Sequence, residues 1–76
     1  MQWIIRDVPL GCNIQNIRIK RGLTQEQLVA QMQTHGSNMS RSTLANIEAG
    51  TRNIKASDLK IIKLTLKVDY GEFFEE

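Results

Sequence analysis

Residues 24–50, TQEQLVAQMQTHGSNMSRSTLANIEAG, contain the signals of two consecutive helices joined by a turn. Thr24 offers a hydroxyl oxygen that accepts a hydrogen bond from a backbone N–H one turn into a helix, and the amide of Gln27 can bond back to this cap residue. Leu28 and Met32 follow four residues apart. This spacing predicts a Gln-rich helix with one apolar stripe.

The second part of the stretch repeats these signals. Ser40 can cap a helix whose inward residues are Leu44 and Ile47, three positions apart, and Gly50 supplies the left-handed conformation that ends it. The other side chains of this helix are short or forked hydrogen-bonding groups: Arg41, Ser42, Thr43 and Asn46. Such groups at the exposed start of a helix are suited to reading base edges in a major groove. The sequence therefore predicts a helix-turn-helix with these four residues as base contacts.

The same blocks carry a resemblance to a known family. The motifs are Ile17-Arg18, Gly22-Leu23-Thr24-Gln25-Glu26-Gln27-Leu28, Ser40-Arg41-Ser42-Thr43-Leu44 and Ile47-Glu48-Ala49-Gly50-Thr51-Arg52. In this order, from about Gly11 to Phe74, they resemble the Cro/CI-like (XRE) helix-turn-helix family. The resemblance implies an all-α, five-helix, lambda-repressor-like bundle. It also implies a homodimer that binds a near-palindromic operator in double-stranded DNA and represses transcription, although nothing in the residues separates repression from activation. The single cysteine cannot form an internal disulfide, so we expect a cytoplasmic location.

One departure from the family concerns the connection between the two helices. Compact members place about eleven residues between the Thr cap and the Ser cap, whereas Thr24 and Ser40 are sixteen positions apart here. The extra residues, around 33–38, should lengthen the second helix or the turn. An alternative function stays open: a protein-interaction module of the same fold, antitoxin-like or adaptor, that does not read DNA. The modest net charge, the enlarged turn and the two-sided fourth helix favour it.

Composition places the chain among small globular domains. It has 76 residues, 41% of them hydrophobic and 24% charged, and a single cysteine. No apolar run approaches the roughly 20 residues of a membrane span, and the first ten residues do not resemble a signal peptide. The net charge of +2 divides into +3 for residues 1–22, −1 for 23–50, +4 for 51–67 and −4 for 68–76. The basic segments thus flank the reading helix in sequence, an arrangement that suits phosphate contacts on both sides of a groove and equally suits an ordinary solvated surface.

The N-terminal residues 1–8 are predicted to form an arm, and residues 9–76 the DNA-binding domain. Residues 2–5, QWII, can form a brief strand or an extended segment. Trp3 and Ile5 can cover the core or pack across a dimer partner. Pro9 fits the first turn of a helix that continues to about Arg21.

The family resemblance assigns structural and phosphate-binding roles to several polar residues. In the family, the arginine that Arg18 matches forms an ion pair with the glutamate that Glu48 matches. Such a pair fixes the angle between the first and third helices. Gln25, at the start of the second helix, is expected to contact a phosphate. The loop after Gly50 contributes Arg52, Asn53 and Lys55 as further phosphate contacts, with Ile54 as its apolar anchor.

A fourth helix is predicted over residues 56–67. Its core stripe is Leu59, Ile62 and Leu66, and a second apolar patch of Ile61 and Leu64 indicates another partner, either the arm or a second subunit. Asp69 can cap a short last helix from Tyr70 to Phe74. Phe73 and Phe74 can pack back on the protein or join a dimer interface, for which the candidates are Trp3, Ile61, Leu64, Phe73 and Phe74.

Catalysis and metal binding find no support in the sequence. The single His35 lies in the long turn without another ligand at metal-binding spacing, and Cys12 is expected to be a small residue of the first helix. No nucleophile and base can be paired, and no glycine-rich phosphate loop is present. We therefore expect no enzyme activity, no cofactor and no small-molecule effector.

Overall fold

The computed structural model describes residues 3–4 and 8–75, and within them the predicted all-α, five-helix fold is confirmed. The helices are α1 (Val8–Lys20), α2 (Gln25–Gln33), α3 (Arg41–Glu48), α4 (Ala56–Leu66) and α5 (Tyr70–Phe73). Two short strands, β1 (Trp3–Ile4) and β2 (Ile54–Lys55), accompany them. No helix in the described ranges is long and apolar enough to cross a membrane.

The two helices of the motif begin at the predicted caps. The Oγ1 of Thr24 accepts the backbone N–H of Gln27 at 3.1 Å, and the N–H of Thr24 donates to the Gln27 side chain at 2.9 Å. Ser40 Oγ accepts the N–H of Thr43 at 3.2 Å. Gly50 adopts a φ of 77°, which ends α3 without the steric cost a side chain would bring.

The helix ends differ from the predictions by one residue. α1, α4 and α5 stop at Lys20, Leu66 and Phe73 rather than one position later. For α4 the physical reason is that Lys67 is left-handed, with a φ of 59°, so its N–H still bonds to Lys63 while the chain turns away.

One hydrophobic core joins all five helices. Its fully buried side chains include Phe73, Ile14, Leu28, Met32, Leu44, Ile54, Ile62 and Leu66. Of the two roles left open for Phe73, packing back on the protein is the one observed, and its buried side chain is not available as a dimer contact. α5 docks on α1, where the side-chain amide of Asn13 donates to the carbonyl oxygens of Phe73 at 2.8 Å and Glu75 at 2.7 Å. This anchor turns Phe73 into the core.

The extra residues lengthen the turn and leave α2 short. α2 ends at Gln33, and the N–H groups of Gly36 and Ser37 then bond back to the carbonyls of Gln33 and Met32. Ser37 is 4% exposed and Met39 is 7% exposed. Ser37 Oγ accepts the N–H of Met39 at 3.1 Å and lies 3.2 Å from the carboxylate of Asp58 on α4. The enlarged turn is therefore tied into the core.

The N-terminal segment forms a strand, one of the two forms that the sequence left open. β1 pairs antiparallel with β2, Trp3 opposite Lys55 and Ile4 opposite Ile54. The proposed roles of the Trp3 side chain and of Ile5 lie outside what the structure describes. α1 begins at Val8, and the boundary between the arm and the domain at residue 8 stays a prediction.

Candidate nucleic-acid interface

α3 has one buried face and one exposed face. Leu44, Ile47 and Glu48 are buried, while Ser42 and Asn46 are exposed. Successive helical residues turn by 100°, so Ser42 and Asn46 lie about 40° apart on the outward face. The helix therefore presents two of the four predicted base contacts directly to its surroundings.

The other two predicted base contacts flank that face. Arg41 has an exposed side chain whose Nε lies 3.8 Å from a carboxylate oxygen of Glu26 on α2. Thr43 is half-buried, and its hydroxyl lies 3.0 Å from Ser40 Oγ. Thr43 thus belongs partly to the helix cap, whereas Arg41 extends from the first turn of α3.

A buried ion pair joins α1 to α3. Arg18 donates from Nε to one carboxylate oxygen of Glu48 at 2.7 Å and from Nη2 to the other at 2.9 Å. Its Nη1 donates to the carbonyl oxygen of Leu23 at 2.8 Å. The two charged side chains are only 9% and 1% exposed. A forked guanidinium holding both carboxylate oxygens fixes the orientation of α3 relative to α1.

Gln25 also bonds to this ion pair, a contact that the sequence did not predict. Its amide nitrogen donates to Glu48 at 3.0 Å, so this group is engaged within the protein. The contact joins the start of α2 to the end of α3 across 23 positions of sequence, and no local pattern signals it. The predicted phosphate role of Gln25 remains untested.

The close approach of α1 and α3 depends on Gly11. A Cβ at this position would lie 2.8 Å from the carbonyl oxygen of Glu48, and it would also meet that of Ile47. Only a residue without a side chain fits there. No local sequence pattern indicates this role for Gly11.

The loop between α3 and α4 exposes Arg52, Asn53 and Lys55, while Ile54 is the buried anchor that the sequence predicted. An open groove of about 370 Å³ separates this loop from the enlarged turn and borders α3. Thr51 fixes the start of the loop, because its N–H and its hydroxyl both bond to the carbonyl oxygen of Asn46, at 3.0 and 3.1 Å.

A second group of exposed large apolar side chains comes from α4, from α5 and from the residue after α5, and we call it the α4–α5 patch. It consists of Leu64, Tyr70 and Phe74, which are 48%, 43% and 52% exposed. Lys63 Nζ lies 5.2 Å from the centre of the Tyr70 ring, within the range of a cation–π contact. Ile61 is half-buried against the core. Tyr70 was not among the predicted interface residues.

No group of three or more His, Cys, Asp or Glu side chains that could hold a metal occurs in the described part of the chain. His35 and Cys12 are both exposed.

Two consecutive helices joined by a turn, the second with an exposed polar face, are typical of a helix-turn-helix protein. Residues 11–75 match the family model for the helix-turn-helix domain, so the chain belongs to this family, and the resemblance to Cro/CI-like regulators is confirmed. No curated protein is similar enough in sequence to count as a match.

Similar solved structures are restriction–modification controller proteins. C.AhdI from Aeromonas hydrophila is 25% identical, with 88% of this chain and 94% of that chain covered and a TM-score of 0.77. Wild-type C.Esp1396I is 30% identical, with 88% and 82% covered and a TM-score of 0.72. The C.Esp1396I tetramer in complex with its natural 35 base-pair operator gives the same identity and coverage and a TM-score of 0.71.

Proposed function

We propose that this chain is a sequence-specific DNA-binding regulator that binds a near-palindromic duplex site as a homodimer and represses transcription. One observation carries the proposal: α3, held against α1 by the buried Arg18–Glu48 pair, exposes Arg41, Ser42 and Asn46. The fold is shared with a protein crystallised on its operator. Repression follows if the bound protein excludes polymerase from the site.

The base contacts are assigned by side-chain chemistry. Arg41 is suited to bidentate binding of guanine O6 and N7, and Asn46 to adenine N6 and N7. Ser42 lies beside Asn46 and can donate to or accept from any base. Thr43 is the weakest candidate, because its hydroxyl already contacts Ser40.

The phosphate contacts are assigned to the α3–α4 loop and to the start of α2. Arg52, Asn53 and Lys55 are exposed on the loop. Gln25 keeps this assignment through the N-terminal end of α2, where backbone N–H groups favour an anion. Such contacts position the protein without reading sequence.

The α4–α5 patch is the proposed dimer interface, with Leu64 and Phe74 kept from the sequence prediction and Tyr70 replacing Phe73. A two-fold interface brings a surface against its own copy, so it must be self-complementary. Charges of both signs support this choice, because Lys63, Lys67, Asp69 and Glu72 line one open groove together with Leu64. In the dimer the two α3 helices must lie about 34–36 Å apart to enter successive major grooves.

Selection of bound sites from random duplex tests the proposal. We expect a near-palindrome with half-sites about 10 base pairs apart and an affinity that falls steeply as salt rises. A protein-interaction module would select no site and bind weakly at all salt concentrations.

Arg41→Ala and Arg52→Ala separate the two kinds of contact. We expect Arg41→Ala to cost about 1–3 kcal/mol at the selected site and to relax preference at one base pair. Arg52→Ala should weaken all duplexes alike and reduce the salt slope by about one. Uniform weakening by both variants would contradict the assignment of Arg41 to a base.

A further inference from the structure

The helix-turn-helix segment contains few charged residues, and its two carboxylates differ in burial. Residues 23–50 contain two acidic residues, Glu26 and Glu48, and one Lys or Arg, which is Arg41. Glu48 is buried and bonded to Arg18. Glu26 is therefore the one exposed carboxylate of the segment, and it lies beside the arginine assigned to a base.

The geometry of this contact leaves part of the guanidinium available. Glu26 Oε1 lies 3.8 Å from Arg41 Nε, and the two side chains are 80% and 61% exposed. At this distance the two side chains attract each other as charges without forming a hydrogen bond, so the donors of the guanidinium fork stay available. Bidentate binding of guanine needs two donors of the fork.

An arginine at the edge of a groove has two kinds of acceptor within reach. It can bind a base edge, which reads sequence, or a phosphate oxygen, which does not. A carboxylate beside it repels phosphate oxygens but adds no charge to the floor of the groove, where the base edges lie. The carboxylate therefore penalises the phosphate-bound arrangement of Arg41 more than the base-bound one.

We infer that Glu26 is a specificity-determining residue, whose negative charge beside Arg41 disfavours the contact of that arginine with phosphate. The inference rests on the proposed function. The negative charge of Glu26 lowers the affinity for every duplex, because it repels phosphates. It raises the ratio of the affinity for the correct site to the affinity for the altered site, because phosphate-bound Arg41 is penalised more than base-bound Arg41. An acidic residue on a DNA-facing surface thereby gains a role in recognition.

The test is Glu26→Gln, which keeps the length and helix propensity of the side chain and removes its charge. Glu75→Gln is the matched control, because it changes the net charge equally in the exposed C-terminal segment. Dissociation constants are measured at one salt concentration for three duplexes: the selected site, the same site with the base pair read by Arg41 replaced, and a random sequence. The Arg41 Nε–Hε signal in the NMR spectrum of the free protein is recorded as well.

For Glu26→Gln we expect about three-fold tighter binding to random duplex and about three-fold lower discrimination at the replaced base pair, as suits one exposed ion pair. The Nε–Hε signal should shift. Glu75→Gln should leave discrimination and the signal unchanged. In the Arg41→Ala background, Glu26→Gln should lower discrimination no further.

Wild-type discrimination in Glu26→Gln would overturn the inference and leave the DNA-binding proposal intact, because the selected site would still be bound. A wild-type chain that selects no site would overturn both. An equal change in the Glu75→Gln control would also overturn the inference, since net charge would then explain the effect.

Discussion

Two arginine–glutamate pairs in this molecule share their chemistry and differ in their surroundings. The side chains of Arg18 and Glu48 are 9% and 1% exposed, and two hydrogen bonds of 2.7 and 2.9 Å join them. Arg41 and Glu26 are 61% and 80% exposed and make one contact of 3.8 Å. Burial fixes the first pair in one geometry, whereas water competes for the second. The first therefore serves as structure, and the second is available for recognition.

Substituting Glu48 is the strongest test of the difference between the two pairs. We expect Glu48→Ala to lower the free energy of unfolding by about 3–5 kcal/mol, because it leaves the Arg18 guanidinium buried without its carboxylate. Urea denaturation followed by circular dichroism measures the loss. Glu75→Ala is the exposed control and should change stability by less than about 0.5 kcal/mol. A similar small change for Glu48→Ala would contradict a structural role for the buried pair.

Gly11→Ala tests the close helix contact beside the buried pair. The added Cβ would press on the carbonyl oxygens of Ile47 and Glu48, so α1 and α3 must separate. We expect a loss of about 1–3 kcal/mol, net of the helix propensity gained by alanine. In Gly71→Ala the new Cβ meets no atom within 4 Å, and stability should change by less than about 1 kcal/mol. Equal effects in thermal denaturation would show that α1 and α3 can separate freely.

Ser37→Ala asks whether the enlarged turn belongs with the fixed part of the molecule. The substitution removes the acceptor of the buried Met39 N–H and the contact with Asp58. We expect stability to fall by about 1–2 kcal/mol, the cost of an unsatisfied buried donor. Asn38→Ala, at the exposed neighbouring position, should have little effect. Hydrogen exchange of the Met39 amide that stays slow in Ser37→Ala would contradict this account.

Arg41→Ala should have the smallest effect on folding. The exposed contact with Glu26 stabilises the free protein by at most about 0.5 kcal/mol, so urea midpoints of this variant and the wild type should nearly coincide. A loss as large as that of Glu48→Ala would place Arg41 in the scaffold rather than on the reading face.

Local chemistry made the helices predictable. Thr24 and Ser40 cap α2 and α3 as expected, and Gly50 ends α3, because each depends on hydrogen bonds or dihedral angles within a few residues. The apolar stripes of α2, α3 and α4 were correct for the same reason: helical periodicity alone decides which side chains share a face. The same periodicity predicted that Ser42 and Asn46 would be exposed, because they lie away from the face of Leu44 and Ile47.

The errors and omissions involve contacts between distant parts of the chain. Phe73 is buried because Asn13, sixty positions earlier, anchors α5 to α1. Gln25 donates to Glu48, a contact that the sequence did not predict. Ser37 donates a hydrogen bond to Asp58, which holds the enlarged turn against α4. The local sequence pattern did not predict where this turn would lie.

The sequence by itself determined the five helices, their caps and the polar inventory of α3, because these features depend on neighbours along the chain. Only the tertiary structure decided that Gly11 admits α3 against α1, that Gln25 joins the Arg18–Glu48 pair and that Glu26 lies beside Arg41. Such contacts arise when helices pack, since the distance between two side chains then depends on the placement of whole elements rather than on their separation in sequence.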